Sequence, residues 1–244
     1  MKVVTELHEG WSLRHGGALL PAQVPGCVHT DLLAAGAIPD PFLGLNETEI
    51  AWVGRQAWSY VTDLDADNDG HERSELVFEG LDTAAEVLLA GASLGTARNM
   101  HRIHRFDVTG RSGPLEVRFD SAYDEAERVR ALTGDRPNVY PEPFQYIRKM
   151  ACSFGWDWGP TVVTAGMWRP VRIERWSTAR LAEVRPLVTV DDTTGHLELR
   201  IRAARTESGT DRPLTLRATV AGVVGETSFA VSYTHLTLPT ICSV

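Results

Sequence analysis

Apolar and polar residues alternate with period two along much of this chain. Leu115, Val117 and Phe119 are interleaved with Glu116, Arg118 and Asp120, the pattern of a strand with one buried and one wet face. Val171 and Ile173 alternate with Arg172 and Glu174 in the same way. Residues 58–62, Trp-Ser-Tyr-Val-Thr, are an aromatic and β-branched run of the kind strands favour. Leu76 and Phe78, then Val87, Leu88 and Leu89, form two further apolar runs on either side of Gly80-Leu81-Asp82. Helical signals are sparse, and only 29–35 and 123–132 are predicted as short helices. Many strands with few helices predict an all-β sandwich, not βαβ units. Its core is expected to include Leu115, Val117, Phe119, Val171 and Ile173.

A boundary is predicted near Ser177-Thr178-Ala179, giving a first domain over residues 1–178. Beyond it a new set of strands begins: residues 184–190, a turn at Asp191-Asp192-Thr193-Thr194-Gly195, then Leu197, Leu199 and Ile201 alternating with Glu198, Arg200 and Arg202. Leu214, Leu216, Ala218 and Val220 supply a third strand. A sandwich of the immunoglobulin type takes about seven strands, so residues 179–230 are expected to be the incomplete start of one. Residues 231–244 contain no Asp, Glu, Lys or Arg, an abrupt change from the Arg- and Glu-rich chain before them. Residues 231–240 resemble the translated end of a transposon adapter used in preparing sequencing libraries, and 231–244 are expected to be a non-native tail. A Thr- and Leu-rich strand is the alternative.

Composition narrows the function. The 244 residues are 43% hydrophobic and 23% charged, ordinary for a globular protein, with a formal net charge of −8. An acidic chain argues against nucleic acid as the partner, because phosphate binding takes a basic face. The start, Met1-Lys2-Val3-Val4-Thr5-Glu6, shows no signal peptide and no stretch is apolar enough to span a membrane, so a cytoplasmic, membrane-free protein is expected. Cys27, Cys152 and Cys242 are few and far apart, which suggests free thiols, with a Cys27–Cys152 bridge left open.

Three patterns of catalytic or metal-binding type read better as ordinary structure. Gly91-Ala92-Ser93-Leu94-Gly95 has the spacing of a serine-hydrolase nucleophile elbow, which needs a strand before it and a helix after it. A turn and strand are predicted to follow instead, so a glycine-punctuated hairpin is the reading adopted. Asp65, Asp67, Asp69 and Gly70 match the first half of a calcium loop, but its twelfth position is Leu76, with Glu75 one place off. His101 and His104 would point to opposite faces of a strand. No metal and no cofactor are expected.

The segment Ser153-Phe154-Gly155-Trp156-Asp157-Trp158-Gly159-Pro160 is different. An indole face packs against the apolar C–H face of a pyranose. A carboxylate between two indoles can accept charge-assisted hydrogen bonds from two hydroxyls. Two glycines let the backbone turn sharply. Residue chemistry alone also admits two core tryptophans and an aspartate capping a turn.

This segment resembles the hallmark loop of β-mannosidases within the family 2 glycoside hydrolases, and other segments are similar to that family in order along the chain. They are residues 24–33, Val-Pro-Gly-Cys-Val-His-Thr-Asp-Leu-Leu, with Cys27 where Ser is commoner; 38–47, Ile-Pro-Asp-Pro-Phe-Leu-Gly-Leu-Asn-Glu; 78–87; 106–109; and 166–171. The resemblance runs from about Trp11 to Trp176. It implies a jelly-roll, galactose-binding-like sandwich followed by an immunoglobulin-like one, then a TIM barrel in which two Glu remove terminal non-reducing β-D-mannose with retention. A barrel takes roughly 250 residues, so it is expected to lie outside this chain, as a missing domain of the same polypeptide. No residue here is nominated as catalytic. Carried over residue by residue, Trp156, Asp157 and Trp158 are expected to bind the substrate, a β-mannoside oligosaccharide or glycan-derived sugar. The rival readings are a freestanding carbohydrate-binding module, another family 2 glycosidase such as a β-galactosidase, β-glucuronidase or exo-glucosaminidase, a serine esterase acting through Ser93, or an interaction-only protein.

Overall fold

A computed structural model describes residues 2–66, 69–192, 194–210, 212–220, 222–229 and 233–238. It separates into two compact units. One comprises Val4–Asn68 and Ser74–Glu174; the other comprises Met1–Val3, Asp69–Arg73 and Arg175–Val244.

In chain order the strands that build the larger unit are β1 (Val3–Glu6), β2 (Ser12–His15), β3 (Ala18–Pro21), β4 (Trp58–Leu64), β5 (Arg73–Phe78), β6 (Ala84–Leu89), β7 (Ala92–Arg98), β8 (His104–Asp107), β9 (Gly113–Phe119) and β10 (Val171–Trp176). Its helices are α1 (Val28–Ala34), α2 (Asn46–Glu49) and α3 (Ala122–Thr133). A six-stranded sheet runs β3-β2-β4-β9-β6-β7 and a four-stranded one β1-β10-β5-β8. The inward residues of both sheets form one core. Leu13, Tyr60, Val87, Leu115, Val117 and Phe119 come from the first; Leu76, Phe78, Val171 and Ile173 come from the second, all fully or almost fully buried. Every residue expected in the core is there. Tyr60 and Phe119 meet edge to face at 5.9 Å between ring centroids.

One strand departs from the simple alternation. Glu174 was expected on a wet face, yet it is 1% exposed. Its carboxylate accepts from Arg105 and from Arg172, both at 2.8 Å, and these guanidiniums also pair with Glu75 and Glu79 respectively. Period two places Glu174 on the same face as Arg172; the surrounding charges make its burial tolerable.

The segment 24–33 is built around α1. Gly26 is required because a Cβ there would stand 2.3 Å from the Gln23 carbonyl oxygen. The Cys27 amide donates to Thr30 Oγ1 at 3.3 Å, closing a capping box in which Cys27 takes the place of a hydroxyl residue. Asp31 accepts from the Gln23 amide at 3.0 Å and from the Tyr60 hydroxyl at 2.9 Å, which pins the helix to the core. Burial raises the Asp31 pKa and these hydrogen bonds oppose the rise.

The smaller unit contains β11 (Ala179–Asp191), β12 (Thr194–Arg205), β13 (Leu214–Val220), β14 (Val223–Phe229) and β15 (Tyr233–Leu238). β11, β12 and β15 form one antiparallel sheet, and β13 pairs with β14. Leu199 and Ile201 are its buried centre, with Leu197, Leu216 and Ala218 packed against them. β14 was not foreseen: Gly225, Glu226, Thr227 and Ser228 give it little apolar signal, and its pairing with β13 makes it a strand. Of residues 231–244 only 233–238 are described, and they pair with β12 from Leu197↔Leu238 to Arg202↔Tyr233. The rest of that segment lies outside the described residues.

Candidate functional site

The site is an excursion between Lys149 and Thr164, closed at its root by a buried ion pair. Lys149 is buried and pairs with the buried Asp82. Its Nζ also donates to the Thr164 carbonyl at 2.8 Å and to Thr164 Oγ1 at 3.0 Å, and Thr164 Oγ1 donates to Asp82 Oδ2 at 2.7 Å. The two ends of the excursion are thereby tied to one carboxylate. Burial lowers the Lys149 pKa, and the Asp82 charge opposes that shift.

Above the root the chain turns through a short helical segment, Ala151–Phe154. Phe154 and Val163 are buried together with Ala122 of α3. Gly155 has φ +79°, and a Cβ there would approach Thr161 Oγ1 to 2.3 Å. Only glycine fits this turn. The tip then closes on itself. Trp156 and Gly159 exchange both backbone hydrogen bonds, at 3.1 and 3.2 Å, so Asp157 and Trp158 occupy the two central positions of a tight hairpin.

The tryptophans are not core residues. Trp156 is 54% and Trp158 83% exposed. Asp157 is exposed, and its carboxylate accepts no hydrogen bond among the described residues, so it caps no turn there. Tyr140 stacks on Trp156 with ring centroids 5.5 Å apart and planes inclined by 25°. The hairpin stands between two depressions. One, of about 400 Å³, is lined by Phe42, Glu47, Trp156, Asp157 and Trp158 among others. The other, of about 170 Å³, is apolar and lined by Phe144, Ala151, Cys152, Gly155, Trp156 and Trp158. The first brings Pro41–Glu47 to the site, a stretch singled out in the sequence for its family resemblance but not for binding. Tyr140 was also missed; its Pro-flanked loop carries no signal of the partner it stacks on.

The patterns set aside in the sequence fall elsewhere. Ser93 lies at the start of β7, opposite Leu88 on β6, and a strand follows it where a nucleophile elbow has a helix. Asp67 of the calcium-like loop lies outside the described residues. His104 is in β8, and His101 meets Trp168 edge-on at 6.4 Å. Among the described residues no three His, Cys, Asp or Glu groups gather where they could hold a metal ion. Cys27 and Cys152 are free thiols. No described helix is long and apolar enough to cross a membrane.

Two packed sheets, with the hairpin closed by Trp156 and Gly159 on a connection between strands, form a β-sandwich. Residues 11–169 match the glycosyl hydrolase 2 galactose-binding domain-like family, and the chain belongs to it. Similar proteins include β-mannosidases of animals and fungi. The chain is 39% identical over 197 residues to the β-mannosidase of Bos taurus, covering 74% of this chain and 22% of that protein. It is 35% identical over 219 residues to β-mannosidase B of Thermothelomyces thermophilus, covering 83% and 25%. Among solved structures, the β-D-mannosidase of Dictyoglomus thermophilum superposes with a TM-score of 0.83 at 29% identity, over 99% of this chain and 31% of that one. The exo-chitosanase of Amycolatopsis orientalis, at 20% identity and a TM-score of 0.69, shares the fold. The chain thus spans about a quarter or less of the length of these curated relatives.

Proposed function

We propose that this chain is the amino-terminal, non-catalytic part of a retaining exo-β-mannosidase that removes terminal non-reducing β-D-mannose, and that Trp156, Asp157 and Trp158 bind the sugar. The observation that carries this reading is an exposed carboxylate with no partner among the described residues, flanked in sequence by two exposed indoles at the tip of a braced hairpin. Water satisfies such a carboxylate in the free chain. Sugar hydroxyls can replace that water one for one, while an indole covers the C–H face of the ring. The likeness to β-mannosidases over most of the chain supports the choice of mannose.

In a retaining enzyme two carboxyl groups about 5 Å apart perform the chemistry, one as nucleophile and the other first as acid and then as base. We place both in a barrel domain of the same polypeptide, outside these residues. The hairpin's part is binding and orientation: a hydroxyl held by Asp157 fixes the ring's rotation in the pocket, and the indoles exclude water around it. A cytoplasmic setting and a non-native origin for residues 231–244 belong to the same proposal, the latter supported by the loss of all charged carboxylate, ammonium and guanidinium side chains there.

The test is Asp157→Ala in the full-length polypeptide. The fold should be unchanged by circular dichroism, and kcat/KM on an aryl β-mannoside should fall about 100-fold, a loss of roughly 2.7 kcal/mol of transition-state stabilisation. A variant that is fully active but less stable makes Asp157 a structural residue and removes the hairpin from the sugar site.

A further inference from the structure

The hairpin tip is closed by two hydrogen bonds of its own, and two further segments touch it from outside. The first is α2. Its start is fixed by Asp40, whose carboxylate accepts from the Phe42 amide at 2.9 Å and whose carbonyl accepts from Asn46 Nδ2 at 2.9 Å. Its end is fixed by Ile50, 1% exposed in the core. From this anchored helix Glu47 reaches out, and its Oε2 accepts from the Thr161 amide at 3.0 Å. Thr161 is where the outgoing arm of the hairpin meets the incoming one: its Oγ1 donates to the Phe154 carbonyl at 3.4 Å and lies against Gly155. The second segment is the loop carrying Tyr140, whose ring covers one face of Trp156.

We propose that Glu47 is a positioning residue for substrate binding: by holding the Thr161 amide it sets the direction in which the hairpin presents Asp157, with Tyr140 as the opposing support. This rests on the reading of Asp157 as a sugar ligand. Glu47 lines the same depression as Asp157, but one of its carboxylate oxygens is committed to the backbone, as suits a brace. A backbone amide freed at this point would leave Thr161 held only by the longer bond to Phe154, and the arm could swing. What Glu47 supplies here is an acceptor at a fixed point, so its geometry is needed more than its charge. Glutamine keeps an acceptor oxygen in the same place, and alanine removes it.

That difference makes the inference testable in this chain, by amide hydrogen exchange at Trp156 and Gly159, whose N–H groups are bonded to each other across the tip. Glu47→Ala should speed exchange at both about tenfold or more while leaving the β9 and β6 amides protected, because local opening is then separate from global unfolding. Glu47→Gln should exchange like the wild type. Tyr140→Ala should loosen Trp156 independently and serves if Glu47→Ala fails to fold. In the full-length polypeptide Glu47→Ala should lower kcat/KM on a β-mannoside roughly tenfold and Glu47→Gln should restore it. Unchanged exchange at the tip in Glu47→Ala, or equal loss in Glu47→Gln, overturns the inference. A full-length polypeptide without β-mannosidase activity overturns the proposed function and leaves the exchange result standing, so the two failures are told apart.

Discussion

His29 is 5% exposed in α1, and its Nδ1 has no hydrogen-bond partner among the described residues. Burial, and secondarily the nearby Lys149 charge, lower its pKa from 6.5 to about 4. The folded protein therefore resists protonation that the unfolded chain accepts. Stability from this residue is fully present above about pH 6.5 and is lost as the pH falls towards 4, by an amount on the order of 3 kcal/mol. Urea unfolding of the wild type and of His29→Asn from pH 7 to pH 4 should show the wild type losing this much more than the variant; parallel curves overturn the assignment. Residue-level chemistry was only partly legible in the sequence. Trp156, Asp157 and Trp158 stand out because two indoles around an acid between glycines are rare. Their exposure was not legible, since a tryptophan's burial depends on what the fold brings against it. Glu174, Glu47 and Lys149 were invisible as partners for the same reason: each meets groups far along the chain, such as Arg105, Thr161 and Asp82.

Helix α3 shows how one element serves the site from behind. Ser121 begins it, accepting from the Asp124 amide at 3.3 Å and donating to the buried Gly54 carbonyl at 3.2 Å. Ala122 then packs on Phe154 and Val163 beneath the hairpin. Ser121→Ala removes a helix cap and strands a carbonyl, and should lower the unfolding free energy by about 1–2 kcal/mol, read as a lower urea midpoint at unchanged slope. Its position was close to legible: 123–132 was expected and Ala122–Thr133 is found. So were strands with strict alternation such as β9, because one face of each is buried and the other wet. β1, β2 and β3 were not, since four residues each are too few to display a period. Their pairing within the sheets makes them strands, and no local pattern encodes it.

At the scale of the molecule, the described residues form sheets with no closed barrel, and the proposed function puts the two reacting carboxyl groups in a barrel elsewhere in the polypeptide. The 244-residue chain should give no turnover of an aryl β-mannoside, whereas the longer polypeptide should; activity that stays with the purified chain through successive chromatography steps would count decisively against the proposed division of labour. The root of the excursion has a further consequence. Lys149, Asp82 and Thr164 are joined there in one buried cluster, whereas Trp156, Asp157 and Trp158 at the tip are exposed. In evolutionary terms root and tip are under different constraints: a change at the root strands a buried charge, and a change at the exposed tip does not. Substitutions at 156–158 can therefore be accepted without rebuilding the core, so long as Glu47 and Tyr140 still hold the arms of the hairpin.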